Sequence, residues 1–164
     1  MKPAASIDVN SWMAQAQTRK VMDALMSGGQ PARFVGGCVR DALLGLPVKD
    51  IDIATPETPE RVTALIEQAG LRAIPTGIDH GTITAICDGI PFEITTLRCD
   101  VETFGRHARV RYTTDWLEDA ARRDLTLNAL YCDPEGSVFD LVGGLADLKA
   151  GRIRFVGEAR ARIE

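Results

Sequence analysis

The chain has 164 residues, 45% of them hydrophobic and 26% charged, with a formal net charge of −4. That is enough for one domain with a real core, and the acidic balance argues against the whole surface being a basic nucleic-acid clamp. No apolar run approaches the ~20 residues of a membrane helix, the start MKPAASIDVNSW lacks the apolar stretch of a signal peptide, and the four cysteines show no CxxC spacing. Reduced thiols in a cytoplasmic protein, with no membrane or protein partner, are therefore expected. Residues 1–10 read as a loose lead-in. Ser11 to Ser27 reads as a helix with Val21, Met22, Leu25 and Met26 on one face and Gly28-Gly29 as its stop.

The stretch Phe34 to Ile53, FVGGCVRDALLGLPVKDIDI, organises the rest of the chain. A strand from Arg33 breaks at Gly36-Gly37, a short helix runs to Gly45 and Pro47, and a second strand carries Asp50 and Asp52. Side chains alternate on a strand, so both carboxylates point one way and Ile51 and Ile53 the other. Two carboxylates on one face repel unless a cation lies between them, and Mg²⁺ is usually held by one or two carboxylates plus substrate phosphates. The glycine pair offers close backbone and free N–H groups at a helix start, and Arg40 adds a fixed cation for the same anion. The ordered set Gly36-Gly37-Cys38-Val39-Arg40-Asp41, Leu43-Leu44-Gly45 and Asp50-Ile51-Asp52 resembles the head domain of the tRNA nucleotidyltransferase and poly(A) polymerase family, in the DNA polymerase beta superfamily.

Further along, Thr58 as N-cap and Pro59 at the first helical position open a helix whose Val62, Leu65, Ile66 and Ala69 share a face. Residues 72–78 and 81–88 read as strands, and Asp88-Gly89 as a hairpin turn. Pro91 to Arg98, PFEITTLR, is β-rich. The resemblance makes Glu93 the third metal carboxylate, on the strand paired with the aspartate strand. Pleating would put Glu93 and Arg98 on opposite faces unless a bulge intervenes. Cys99 to Thr114 is polar and, with Arg98, Arg106, Arg109 and Arg111, forms a basic patch that matches the family's mobile loop. Thr114 to Leu130 reads as one helix. Its Arg122-Arg123-Asp124-Leu125-Thr126-Leu127-Asn128 matches the family's second signature, with Asp124 and Asn128 sharing a face at i, i+4. The resemblance gives Arg123 a phosphate- or ribose-side role, and lets Asp124 and Asn128 hold the ribose or brace the site. A turn at Asp133-Pro134-Glu135-Gly136 comes next, then Asp140 as a structural residue and a second glycine pair, Gly143-Gly144, opening a short helix. Arg152 to Val156 reads as a final strand.

The resemblance implies an α+β, polymerase-beta-like nucleotidyltransferase head, with a mixed, mostly antiparallel sheet flanked by helices. Residues 1–29 are expected to be lead-in and helix, 30–151 the catalytic head, and 152–164 a last strand and the start of a truncated helical neck. The implied reaction is template-independent transfer from CTP and ATP to an RNA 3′ end, as CCA addition to tRNA. Two Mg²⁺ ions would lie on Asp50, Asp52 and Glu93, and the triphosphate on Gly36, Gly37 and Arg40. The alternatives are poly(A) addition, or a non-catalytic nucleotide- or RNA-binding module. Base selectivity is expected from a segment after Glu164, so the residues present should discriminate little among bases.

Overall fold

The computed structural model describes residues 2–101 and 109–157. Its strands are β1 (Ala5–Ser6), β2 (Arg33–Val35), β3 (Ile51–Thr55), β4 (Arg72–Gly77), β5 (Thr82–Cys87), β6 (Ile90–Thr96), β7 (Arg98–Val101), β8 (Arg109–Tyr112), β9 (Leu130–Cys132) and β10 (Ser137–Asp140). Its helices are α1 (Ala16–Met26), α2 (Gly37–Leu43), α3 (Pro59–Gln68), α4 (Trp116–Ala121) and α5 (Gly144–Ala150). Eight strands form one mixed sheet in the order β1-β10-β9-β2-β3-β6-β5-β4, while β7 and β8 make a separate hairpin. Only β3 with β6 is parallel among the described pairings. The α+β class and the mostly antiparallel sheet agree with the sequence reading.

Local chemistry accounts for the elements around β3. The Thr58 hydroxyl accepts the Arg61 N–H, Pro59 starts α3, and Val62, Leu65 and Ile66 are buried. Helix α3 starts the crossover that a parallel β3–β6 pair requires. Asp88 and Gly89 both have positive φ, 51° and 78°, which makes the tight turn between β5 and β6 a primed hairpin turn.

The two sheet faces differ. One buries Phe34, Ile53, Ile83, Phe92, Ile94, Leu130 and Val138 in a core shared with α1, α2 and α3. The other carries a smaller cluster of Val35, Ala54, Leu97, Trp116, Ala120, Ala129, Tyr131 and Phe139. The Arg33 guanidinium lies between the Trp116 and Phe139 rings, 4.3 and 4.2 Å from their centroids, a cation–π arrangement that covers the cluster's rim.

Several sequence expectations are corrected. The lead-in is not loose, because Ala5 and Ser6 pair with Val138 and Ser137 at the sheet edge. A two-residue edge strand leaves almost no periodic signal. The first helix is split: Trp12–Ala14 form a 3₁₀ turn before α1, and Met26 is exposed while Val21, Met22 and Leu25 are buried. The polar stretch 99–114 is not all loop, since its two ends pair as β7 and β8. Arg98 escapes the parity problem because the chain leaves β6 after Thr96 and starts a new strand. The long helix over 114–130 does not exist. α4 stops at Ala121, Leu125 is extended, and Thr126–Asn128 make only a 3₁₀ turn. Asp124 takes the Leu125 N–H at 2.7 Å, a local bond that competes with helix, and Leu125 bridges Phe155. That bridge is also all that remains of the strand expected over 152–156. Arg152 and Arg154 instead fold onto Asp147.

Candidate active site

The aspartate strand and its parallel neighbour set the centre of the site. In register, Asp52 stands opposite Glu93 on one side and Val35 on the other. Directly opposed side chains share a face, so two carboxylates meet beside the apolar cluster. Burial there, then the hydrogen bond and charge of Glu93 and the charge of Asp50, push the Asp52 carboxyl up to about 6. The charge of Arg123 pulls the other way. Asp50 precedes β3 and is exposed.

Asp50 and Asp52 form the ridge between two open clefts. One, of about 320 Å³, is lined by both aspartates with Glu93, Thr84 and Pro91. The other, of about 460 Å³, is lined by both with Gly37, Arg40, Asp41 and Lys49. Among the described residues no three His, Cys, Asp or Glu side chains make a ready-made metal cluster. The donor set fits a hard cation with few protein ligands. Asp52 and Glu93 lie within hydrogen-bonding reach of each other, and both face open cleft. That is the pattern of Mg²⁺ sites completed by water and phosphate oxygens.

The glycine pair lies against these carboxylates. Gly36 has φ 78° and ψ −137°, a conformation that glycine alone adopts cheaply. A Cβ on it would stand 3.9 Å from an Asp52 carboxylate oxygen. No side chain caps the helix there. The Arg40 guanidinium folds back over Gly37, held by Asp41 (Nε to Oδ1, 3.1 Å) and by Asn128 (Nη1 to Oδ1, 3.0 Å). Asn128 thus joins the two signatures, 88 positions apart.

Arg123 is largely buried and points inward. Its Nη2 donates to Asp119 Oδ2 at 3.1 Å and its Nε reaches the Tyr131 hydroxyl at 3.3 Å. Asp119 is 1% exposed. Burial opposes its ionisation, but Arg123, Arg122 and the Tyr131 hydroxyl outweigh that and hold it below the usual carboxylate range. The sequence reading missed Asp119 and Tyr131. Their only signal was an acid four positions before an arginine, which on the expected continuous helix looked like a surface pair.

The remaining expected residues are dispersed. Asp124 is exposed, and its described hydrogen bond goes to the Leu125 N–H rather than into a cleft. Its expected pairing with Asn128 on one helix face is undone by the extended Leu125 between them. The Arg98 main-chain N–H donates to Asp119 Oδ1 at 3.1 Å. Arg111 is exposed and paired with Glu118 at 2.7 Å. Arg109 contributes backbone to β8, and Arg106, with the loop around it, lies outside the described residues.

A carboxylate pair on adjacent strands facing a glycine–arginine turn, on this fold, is the arrangement of a nucleotidyltransferase head. Residues 32–154 match the poly A polymerase head domain, and the chain belongs to that family. It is 50% identical over 133 residues to the mitochondrial CCA tRNA nucleotidyltransferase 1 of Homo sapiens, covering 80% of this chain and 31% of that protein. It is 41% identical over 146 residues to the CCA-adding enzyme of Bacillus pumilus, covering 88% and 36%. A crystal structure of the Bacillus stearothermophilus CCA-adding enzyme in complex with CTP superposes with a TM-score of 0.79 at 37% identity, over 90% of this chain and 34% of that one. The chain therefore spans about a third of the length of the relatives it matches.

Proposed function

We propose that this chain is the catalytic head of an enzyme that adds CCA to tRNA by template-independent nucleotidyl transfer from CTP and ATP. The observation that carries the reading is the in-register Asp52–Glu93 pair facing the Gly36-Gly37 turn. The relatives named as CCA-adding enzymes support it, one of them solved with CTP. In a structure that shares 30% identity and a TM-score of 0.66, a tRNA nucleotidyltransferase is complexed with a primer tRNA and an incoming ATP analog. The free cysteines suit a reducing compartment such as the cytoplasm.

Gly36 and Gly37 accept close approach of the triphosphate, and Arg40 donates to its oxygens from a guanidinium oriented by Asp41 and Asn128. Arg123 sets a positive charge beside the carboxylates. Asp50, Asp52 and Glu93 are the residues that would hold two Mg²⁺ ions, which when bound stabilise charge on the attacking and leaving oxygens of an in-line displacement. The RNA 3′-hydroxyl attacks the α-phosphorus, the bond to the β-phosphate oxygen breaks, and pyrophosphate leaves. No covalent nucleophile is required, so positioning and charge stabilisation supply the rate.

Incorporation of labelled CTP and ATP into tRNA lacking CCA, with and without Mg²⁺, tests this on the enzyme that carries the head. Ordered, Mg²⁺-dependent addition of C, C and A is expected. Long tracts of A alone would assign the head to poly(A) addition, and nucleotide binding without transfer would make it a binding module.

A further inference from the structure

At the smaller apolar cluster, one buried carboxylate gathers four groups from three parts of the chain. Asp119 Oδ1 accepts the Arg98 N–H and the Arg122 Nε, each at 3.1 Å. Its Oδ2 accepts the Tyr131 hydroxyl at 2.6 Å and Arg123 Nη2 at 3.1 Å. Arg98 roots the β7–β8 hairpin, and at the other root the Thr113 N–H bonds the Leu97 carbonyl at 2.9 Å. One negative charge faces two guanidiniums, so the group keeps a net positive charge next to Asp52. A long arginine gains a defined plane only when its fork is held. Here Asp119 holds it from below and the Tyr131 ring lies 5.6 Å from the guanidinium carbon.

We propose that Asp119 is a positioning residue for nucleotide binding. It touches no substrate. It fixes Arg123 and the root of the basic hairpin in one relation to the carboxylate ridge, so that the cleft meets a nucleoside triphosphate with its cations already oriented. The inference rests on the reading of the cleft as a Mg²⁺–NTP site.

A second buried aspartate provides the control. Asp147 is 0% exposed and pairs with Arg152 at 2.8 Å and Arg154 at 3.0 Å, not with Arg123, whose charge acts on Asp52. Calorimetric titration of the chain with Mg²⁺–CTP and Mg²⁺–ATP would be combined with NMR of the arginine Nε–H signals and thermal melts. Asp119→Asn should weaken both nucleotides by about tenfold, the loss of one charged hydrogen-bonding contact, and the Arg123 Nε–H signal should lose its dispersed position. Tyr131→Phe, which keeps the ring and removes the hydroxyl's bonds to Asp119 and to Arg123 Nε, should give a smaller change in the same direction and decides the matter if Asp119→Asn does not fold. Asp147→Asn should melt earlier while keeping affinity within about twofold, because its described side-chain partners are Thr126, Arg152 and Arg154 rather than Arg123 or Arg40. Unchanged affinity and an unchanged Arg123 signal in the Asp119 or Tyr131 variant would overturn the inference. Equal weakening by Asp147→Asn would do the same, reducing the effect to lost stability. A wild-type chain that binds neither nucleotide would overturn the reading of the cleft, and this inference with it.

Discussion

Two rows of residues cross the sheet side by side on opposite faces. In one, Ala5, Val138, Cys132, Phe34, Ile53, Ile94 and Ile83 stand opposite one another. In the other, one residue along, the order is Phe139, Tyr131, Val35, Asp52, Glu93, Thr84. The first row is apolar from β1 to β5. The second is apolar only as far as β2, then acidic, then a hydroxyl. The pleat has period two, so a single-residue step separates the core from the chemistry. The carboxylates thereby stand on a platform whose underside is packed at interior density, a more exact support than any loop offers. Their position at the end of the apolar cluster also explains why burial dominates the upward shift of Asp52.

Adjacent substitutions on β3 should separate the two faces. Asp52→Ala is expected to have the largest effect on function: CTP incorporation by the enzyme should fall below a few per cent of wild type, with the far-UV spectrum unchanged. It removes a proposed metal ligand and also one member of a like-charged pair, so the apo protein should be no less stable. Substantial remaining turnover would remove Asp52 from the metal site. Ile53→Ala, one step along, should do the reverse. A buried isoleucine truncated to alanine costs about 2–5 kcal/mol, visible as a lower urea midpoint, while nucleotide affinity per folded molecule stays near wild type. Equal functional loss in the two variants would erase the distinction between the faces.

Much of this was legible because it is local. The Gly36-Gly37 break, the alternation at Asp50-Ile51-Asp52, the Thr58-Pro59 start and the Asp88-Gly89 turn each depend on a few consecutive residues. What escaped depends on partners far away in sequence. Arg123 could not be seen to point inward without knowing that Asp119 is buried under Tyr131, and the helix that would have carried Asp124 and Asn128 ends because Leu125 is extended and bridges Phe155. The two glycine pairs make the same point. Gly143-Gly144 also opens a helix, and the sequence reading set it aside for lack of a following arginine. The structure adds a stronger reason: the Asp140 carboxylate accepts the Gly143 and Gly144 N–H groups at 2.9 Å and that of Leu145 at 3.1 Å, so the place an external anion would take is filled from within. Gly36 has no such side-chain cap.

The polar row can be sharpened at its phosphate end. Arg40→Lys keeps the charge but loses the planar fork that now meets Asp41, Asn128 and the cleft together. Mg²⁺–CTP affinity should weaken by about tenfold with the melting temperature little changed. Affinity equal to wild type by calorimetry would leave Arg40 as scaffold only.

The smallest expected effect is a pH dependence that only the polar row can produce. The Asp52 carboxyl is pushed up to about 6 in the folded chain, whereas an unfolded chain releases the same proton near 4. Between those values the folded state binds more protons than the unfolded one, so this group's contribution to stability falls as pH rises through the window. Asp119 has the opposite sign, since its folded value lies below the usual range, and its contribution is lost only at more acid pH. Urea midpoints of the apo protein measured from pH 5 to 7.5 should therefore contain a downward component that Asp52→Asn removes. Mg²⁺ should act in reverse. If it binds the ionised Asp52 as proposed, the stabilisation it gives should grow from pH 5 to 7.5 and shrink in Asp52→Asn at every pH. A slope that survives the substitution, or a Mg²⁺ effect independent of pH, would show that Asp52 is not the group that titrates.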